Sequence, residues 1–183
     1  RGGGGGGDTT PPPTAADAVV GISASGRTPY VLAAVRAARE RGALTVGLSC
    51  NAGTPLSAVA DRAIEVLVGP EVVAGSTRLK AGTAQKLVLN MISTISMIRL
   101  GKTYDNLMVD LRVTNAKLRD RAVRIIRRVT GVPRSVAEAA LDRAELDVKT
   151  AILMLDRPAD AADPRRRLEA SGGRLRAALE ASA

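Results

Sequence analysis

The segment at residues 21–30, Gly-Ile-Ser-Ala-Ser-Gly-Arg-Thr-Pro-Tyr, constrains the fold of this chain more than any other. It follows a short apolar run at residues 18–20 and precedes an alanine-rich amphipathic segment, which predicts a strand, a hydroxyl-rich loop and a helix N-terminus in succession. Such a turn presents unpaired backbone N–H groups and the positive end of a helix dipole to a ligand. Its Ser23, Ser25, Gly26 and Thr28 therefore predict a phosphate site. Plain helix capping by the hydroxyls is the alternative.

Three short apolar segments predict the strands of a sheet. They are rich in β-branched residues and nearly continuous instead of alternating, which is typical of parallel strands that are covered on both faces. They lie at residues 18–22, 44–49 and 64–68. The sequence therefore predicts an α/β fold with a parallel sheet.

Helical segments separate and follow these strands. The sequence predicts helices over residues 29–41, 55–62 and 80–100, with Pro29 suited to a first turn and Gly42 to a C-terminal cap. In open α/β sheets, ligands bind beyond the carboxyl ends of the strands. We therefore expect the loops at residues 23–28 and 75–80 to lie at the same edge.

Composition divides the chain into three predicted regions. Six consecutive glycines and three prolines near the start predict a disordered lead-in over residues 1–15. The α/β domain is predicted over residues 16–112 and an all-helical lobe over residues 113–183, and the pattern beyond Gly101 predicts helices only. The helices of that lobe are predicted at residues 118–130, 135–144, 148–155, 164–170 and 174–181.

Missing residue types exclude several kinds of site. The chain has no histidine, so it holds no histidine base, histidine-containing triad or histidine-ligated metal, and we predict no metal site. Its single cysteine, Cys50, excludes an internal disulfide and indicates a reducing cytoplasm. Cys50 is predicted to be buried and not to act as a nucleophile. No apolar run is long enough for a membrane span, so no membrane partner is predicted.

The net charge of +9 raises the question of nucleic acid. Two tyrosines are the only aromatic residues of the chain, so the stacking platforms that hold single strands are missing. We interpret the basic excess as a solvated helical face and predict no nucleic-acid partner.

The loop after the third strand supplies the other candidate residues. Ser76 and Thr77 are predicted equally as contacts of a sugar phosphate and as caps of the helix that starts near Lys80. No catalytic residue is assigned. Glu71 is the nearest candidate for a base, with a hydrogen-bond acceptor that fixes the loop as its alternative role, and Glu65 is predicted to point to a salt bridge or to solvent.

Three blocks of this sequence, in the same order, resemble the N-acetylmuramic acid 6-phosphate etherase family. They are residues 21–30, 75–86 (GSTRLKAGTAQK) and 101–110 (GKTYDNLMVD). The resemblance covers about residues 16–180. It implies part of a sugar isomerase (SIS) domain, flavodoxin-like with three αβα layers, followed by a small lobe that resembles ubiquitin-associated domains.

The resemblance also implies a reaction. The family is a bacterial lyase of peptidoglycan recycling, which cleaves the D-lactyl ether and yields N-acetylglucosamine 6-phosphate and D-lactate. An open-chain sugar loses its C2 proton, lactate leaves C3, and water adds, with no cofactor expected. The sugar 6-phosphate serves as a remote handle that orients the reacting end.

One departure from the family pattern bears on activity. The two glutamates that the family uses as acid and base lie in a stretch without a counterpart here, so the resemblance implies a C-terminal portion and leaves catalysis by the chain alone open. The implied partner is a second copy or a missing N-terminal half. A non-catalytic sugar-phosphate regulator, resembling glucokinase regulatory protein, is the alternative. A DNA-binding regulator ranks last because no helix-turn-helix module precedes residue 16.

Overall fold

The fold is known from a computed structural model, which describes residues 11–156 and 163–181. The chain divides into two compact units, Arg1–Met91 and Ile92–Ala183. Residues 1–10 of the predicted lead-in lie outside the described residues. The first elements in chain order are β1 (Ala18–Ile22), α1 (Pro29–Glu40), β2 (Leu44–Ser49), α2 (Pro55–Val59), β3 (Arg62–Glu65) and α3 (Lys80–Arg99).

The first unit is built on a parallel sheet with the order β1-β2-β3. Val20 pairs with Val46, and Leu48 with Ile64. The parallel sheet with its connecting helices confirms the predicted α/β class. Because each connection returns the chain to the same end of the sheet, the loops that follow the three strands lie at one edge.

The third strand begins two residues earlier than the predicted 64–68. The carboxylate of Asp61 accepts hydrogen bonds from the Thr45 backbone N (2.9 Å) and hydroxyl (2.7 Å). These bonds fix the start of β3 beside β2, so the ladder runs over Arg62–Glu65. The apolar run at 64–68, on which the prediction rested, extends past the paired residues.

Two glycines in register let helices approach the sheet closely. Gly21 of β1 is paired with Gly47 of β2. A Cβ on Gly21 would lie 2.4 Å from a methyl of Val35 on α1, and one on Gly47 would lie 2.9 Å from the backbone oxygen of Leu56 on α2. Since both glycines face helices, α1 and α2 cover one face of the sheet.

In the second unit, a small hairpin follows the end of α3. Its strands, β4 (Thr103–Tyr104) and β5 (Leu107–Met108), pair antiparallel, so the prediction of helices only beyond residue 101 was wrong. Two-residue strands leave no hydrophobic period in a sequence. Helices follow: α4 (Ala116–Thr130), α5 (Arg134–Arg143), α6 (Val148–Asp156), α7 (Pro164–Ala170) and α8 (Leu175–Glu180).

The core of the second unit lies between α4, α5 and α6. Asn115 caps the start of α4 by accepting from the Leu118 N, and Gly131 ends it with a φ of 76°. The apolar side of α4 then packs on its two successors. The fully buried large side chains of this core include Val123, Ile126, Leu141, Val148, Ile152 and Leu153.

One ion cluster around a buried lysine ties separate segments of the second unit together. The Lys149 ammonium, on α6, lies 3.0 Å from Asp110 Oδ1 and donates to the Gly173 carbonyl. Asp110 also pairs with Lys102 at 2.5 Å. The side chain of Lys149 is only 7% exposed, so its charge depends on these partners. In the described ranges, no helix combines the length and apolarity that a membrane span needs.

Candidate functional site

The loop after β1, residues 23–28, brings the predicted hydroxyl residues together. The Ser23 Oγ, on a buried residue, lies 2.8 Å from the Thr28 Oγ1 and 3.3 Å from the Ser25 Oγ. The Gly26 N–H donates to the Ser23 carbonyl and closes the turn. Gly26 has a φ of 64°, a conformation that glycine adopts without steric cost. We name this segment the first loop.

The helix that follows the first loop leaves its N-terminus uncapped. Thr28 occupies the N-cap position of α1, but its side chain makes no capping bond, and Pro29 fills the first helical position. The Thr28 and Ser25 hydroxyls instead hydrogen-bond to the Ser23 hydroxyl, and the Ser25 Oγ also accepts from the Arg27 N at 3.3 Å. This arrangement does not fit the alternative in which the Thr28 hydroxyl is a cap, and the positive end of α1 stays available to an anion.

A second loop, residues 49–54 after β2, repeats the first. Gly47-Leu48-Ser49 with Thr54-Pro55 has the same spacing as Gly21-Ile22-Ser23 with Thr28-Pro29. Sequence analysis missed this repeat, and the repeat was the signal that could have revealed the second loop.

The second loop supports the first. The Cys50 N donates to the Ala24 carbonyl (2.9 Å), and the Leu56 N donates to the Gly26 carbonyl (3.0 Å). A Cβ on Gly26 would lie only 2.4 Å from the Thr54 side chain. Gly26 is therefore required both by its φ and by the close approach of the second loop.

The second loop is filled by groups of the chain itself. Thr54 accepts from the Ser57 N and so caps α2. The Glu65 carboxylate accepts from the Gly53 N (2.8 Å) and the Ser57 hydroxyl (2.5 Å). These bonds, that of Ser57 first, lower the pKa of Glu65. Glu65 is exposed, which agrees with the predicted solvent position, and its carboxylate also accepts from N–H and hydroxyl groups of the neighbouring loop and its helix.

The third loop, residues 69–79, is anchored by Glu71. Its carboxylate accepts from the Ala81 N (3.0 Å) and the Lys80 N (3.1 Å), in the first turn of α3. These two bonds, Ala81 first, lower the pKa of Glu71. A general base that works near neutral pH needs a raised carboxyl pKa, so the geometry favours the alternative role of a loop-fixing acceptor.

Ser76 and Thr77 lie on the third loop beside this anchor. The Ser76 N donates to the Val73 carbonyl (3.0 Å), which folds the loop into a turn. Ser76 is half-buried, and Thr77 is exposed. Because Glu71 holds the N–H groups of Lys80 and Ala81, it satisfies the part of the α3 terminus that Ser76 or Thr77 was expected to cap.

Cys50 links the three loops. Its N–H holds the first loop, and its Sγ lies 3.9 Å from the Ala81 carbonyl at the start of α3. Burial, with the charge of Glu71 as a smaller cause, raises the pKa of the Cys50 thiol. A raised pKa keeps the thiol protonated, which fits a packing role and not a nucleophile.

The two carboxylate anchors give a reciprocal test. We expect Glu71→Ala to accelerate hydrogen exchange of the Lys80 and Ala81 amides severalfold, because their acceptor is lost, and to leave the Gly53 amide unchanged. Glu65→Ala should do the opposite. Since both carboxyl pKa values are lowered, the anchors are intact at neutral pH and are lost only in acid, as the carboxyls are protonated. Equal effects of both variants on all three amides would contradict this assignment.

The chain matches two protein families over successive segments. Residues 7–95 match the SIS domain, and residues 105–170 match the C-terminal lid domain of glucokinase regulatory protein.

Individual relatives extend these matches across most of the chain. Proteins named N-acetylmuramic acid 6-phosphate etherase are 68% identical over 163 residues in Rubrobacter xylanophilus and 60% identical over 169 residues in Streptomyces avermitilis. These alignments cover 89% and 92% of the chain but 54% of either relative, so the chain spans about half the length of the curated relatives it matches. Over most of its length, the chain is therefore similar to about half of proteins named N-acetylmuramic acid 6-phosphate etherase, through a segment that matches the SIS domain and a segment that matches the lid of glucokinase regulatory protein.

Proposed function

We propose that the first loop binds the phosphate of a hexosamine 6-phosphate, as part of an N-acetylmuramic acid 6-phosphate etherase. One observation carries the proposal. The two βα turns share a sequence pattern, but they differ in whether side chains of the protein already satisfy the N–H groups of the turn and its helix. In the second loop, Thr54 and Glu65 satisfy the loop and helix N–H groups. In the first loop, the equivalent Thr28 makes no capping bond. The first loop is thus the turn that an external anion can complete.

Hydroxyl chemistry supports the same ligand. The hydroxyls of Ser25 and Thr28 each lie within hydrogen-bond distance of the Ser23 hydroxyl, and each hydroxyl can rotate to donate to a phosphate oxygen. The etherase names of the relatives make the phosphorylated sugar the ligand of choice. Ser76 and Thr77 are proposed as further contacts of the same sugar phosphate.

The chemistry we propose for the whole protein is removal of the C2 proton and departure of lactate from C3. In this reaction the phosphate handle fixes the reacting carbon relative to a base. Among the described loop carboxylates, Glu65 and Glu71 are engaged by N–H and hydroxyl groups and have lowered pKa values. We therefore assign binding and orientation to this chain's loops and assign proton transfer to none of their residues.

A non-catalytic sugar-phosphate regulator is the second candidate. It is supported by the match of residues 105–170 to the lid of glucokinase regulatory protein and by the engagement of both loop carboxylates. Both candidates share the phosphate site and differ only in turnover. Release of lactate therefore separates them.

Other features of the proposal concern architecture and setting. We propose a flavodoxin-like, three-layer SIS domain with a lobe that resembles ubiquitin-associated domains, in a cytoplasmic protein of peptidoglycan recycling. The single cysteine supports a reducing compartment. A homodimer, or pairing with a complementary N-terminal half, is supported by exposed apolar residues along α3, which include Leu87, Met91, Ile95 and Ile98.

The test is a thermal-shift titration with lactate measured in the same samples. We expect N-acetylmuramic acid 6-phosphate, glucosamine 6-phosphate and inorganic phosphate each to raise the unfolding midpoint of the α/β unit. Stabilisation without lactate favours binding alone, and lactate release favours the etherase. Failure of all three ligands to stabilise the protein would refute the phosphate site.

A further inference from the structure

Four cationic side chains form a line along α4. Lys117, Arg121, Arg124 and Arg128 follow one another at intervals of four, three and four residues, so they lie on one side of the helix. All four are exposed. The opposite side of α4 supplies the buried residues of the core. We name these four residues the cationic line.

This line is unfavourable for the isolated helix. Like charges three or four positions apart repel one another, whereas a face that serves only solubility alternates its charges. Asp120 is the acidic group paired with this line, at 3.0 Å from the Arg124 Nε, and it is shared with Arg134. Among the described residues, Arg121 and Arg128 have no acidic partner.

Several other arginines of the same lobe are paired. Ion pairs join Arg119 to Asp142, Arg134 to Glu138, Arg165 to Glu145, Arg167 to Asp156 and Arg176 to Asp105. Local carboxylates therefore neutralise some arginines of the lobe, whereas Arg112 and Arg127, like Arg121 and Arg128, have no acidic partner among the described residues. The cationic line keeps an excess of positive charge for an external anion.

A cavity lies against the line. Arg121, Arg124 and Arg128 border about 440 Å³ of space, and Leu107 of the hairpin and Ile125 of α4 complete its wall. This volume is within the range of small-molecule sites. Guanidinium groups bind phosphate oxygens through paired N–H donors, and the two aliphatic side chains offer contact to a carbon skeleton.

We propose that this cavity is a second anion site, which binds a small organic phosphate. Arg121 and Arg128, assisted by Arg124, hold the phosphate, while Leu107 and Ile125 contact the apolar part of the ligand. The site goes beyond the proposed function, since its residues all belong to α4 and the hairpin and none to the three loops. The volume of about 440 Å³ matches a small ligand.

Calorimetry with phenyl phosphate and inorganic phosphate tests the proposal. The background carries Thr28→Val, so that binding at the first loop is suppressed. We expect phenyl phosphate to bind several times more tightly than inorganic phosphate and to shift the methyl resonances of Leu107 and Ile125. The double variant R121Q/R128Q should weaken phenyl phosphate binding at least tenfold.

The matched control is R112Q/R127Q, which removes the same number of charges from exposed arginines that do not border the cavity. It should change affinity less than twofold. Without ligand, R121Q/R128Q should not lower the unfolding midpoint, because repulsion is removed. If both double variants weaken phenyl phosphate binding equally, the protein attracts the anion only through its net charge, and the site is refuted. The site is also refuted if phenyl phosphate leaves the methyl resonances of Leu107 and Ile125 unchanged. If phenyl phosphate shifts both methyl resonances but the sugar phosphates do not raise the unfolding midpoint, the proposed function is refuted and the second anion site stands.

Discussion

Thr28→Val is expected to weaken binding of a sugar 6-phosphate by about ten- to a hundredfold. The variant keeps the shape of the side chain and removes a hydroxyl that lies 2.8 Å from the Ser23 Oγ. A hydrogen bond to a charged group contributes about 1.5–3 kcal/mol, which corresponds to this change in the dissociation constant. Isothermal calorimetry with glucosamine 6-phosphate measures it directly.

The control for this variant is Thr83→Val on an exposed position of α3. It removes the same hydroxyl away from the first loop and should leave affinity unchanged. Ser25→Ala should have a smaller effect than Thr28→Val, because the Ser25 hydroxyl is the more distant from Ser23, at 3.3 Å. An unchanged dissociation constant in Thr28→Val, in a protein with the parent unfolding midpoint, would place the phosphate elsewhere.

Gly47→Ala is expected to destabilise the α/β unit by about 1–3 kcal/mol through overpacking. The added methyl would lie 2.9 Å from the Leu56 backbone oxygen, 3.0 Å from the Leu56 Cγ and 3.2 Å from the Ala60 Cβ. The nearest obstacle is backbone, so α2 has to move away from the sheet. Hydrogen exchange of the Val46 and Leu48 amides in β2 reports the free energy of opening.

Gly82→Ala provides a control of opposite sign. Gly82 lies in α3, and a Cβ there would have the Thr77 oxygen at 3.4 Å as its neighbour, an ordinary contact. Alanine in a helix interior is favoured over glycine by about 0.5–1 kcal/mol. We expect Gly82→Ala to be neutral or stabilising. If Gly47→Ala also left the opening free energy of β2 unchanged, the close approach of α2 would not be a constraint on the fold.

The apolar runs and the helix-start signals of the sequence were sufficient to predict two strands of the sheet and the start of α1. The strands at Ala18–Ile22 and Leu44–Ser49 lie where their apolar runs predict them. The start of α1 at Pro29 follows from the proline itself. The meeting of Ser23 with Thr28 also arises within one loop, so the sequence could indicate it.

The rest depends on contacts between distant residues. Asp61 sets the start of β3 through Thr45, Glu65 fills the second loop, and Glu71 holds the start of α3. Each carboxylate meets its partners only after the chain has folded back, and a single sequence carries no signal for such pairs. The hairpin was missed for another reason, since its strands are too short to show a period.

Because side chains of the protein already occupy the second loop, the number of phosphates that the α/β unit can bind is affected. The α/β unit contains two turns of one pattern, yet the Glu65 carboxylate already accepts from the Gly53 N–H and the Ser57 hydroxyl at one of them. If the first loop binds phosphate as proposed, the two turns bind one phosphate and not two, because Glu65 competes with a ligand at the second turn.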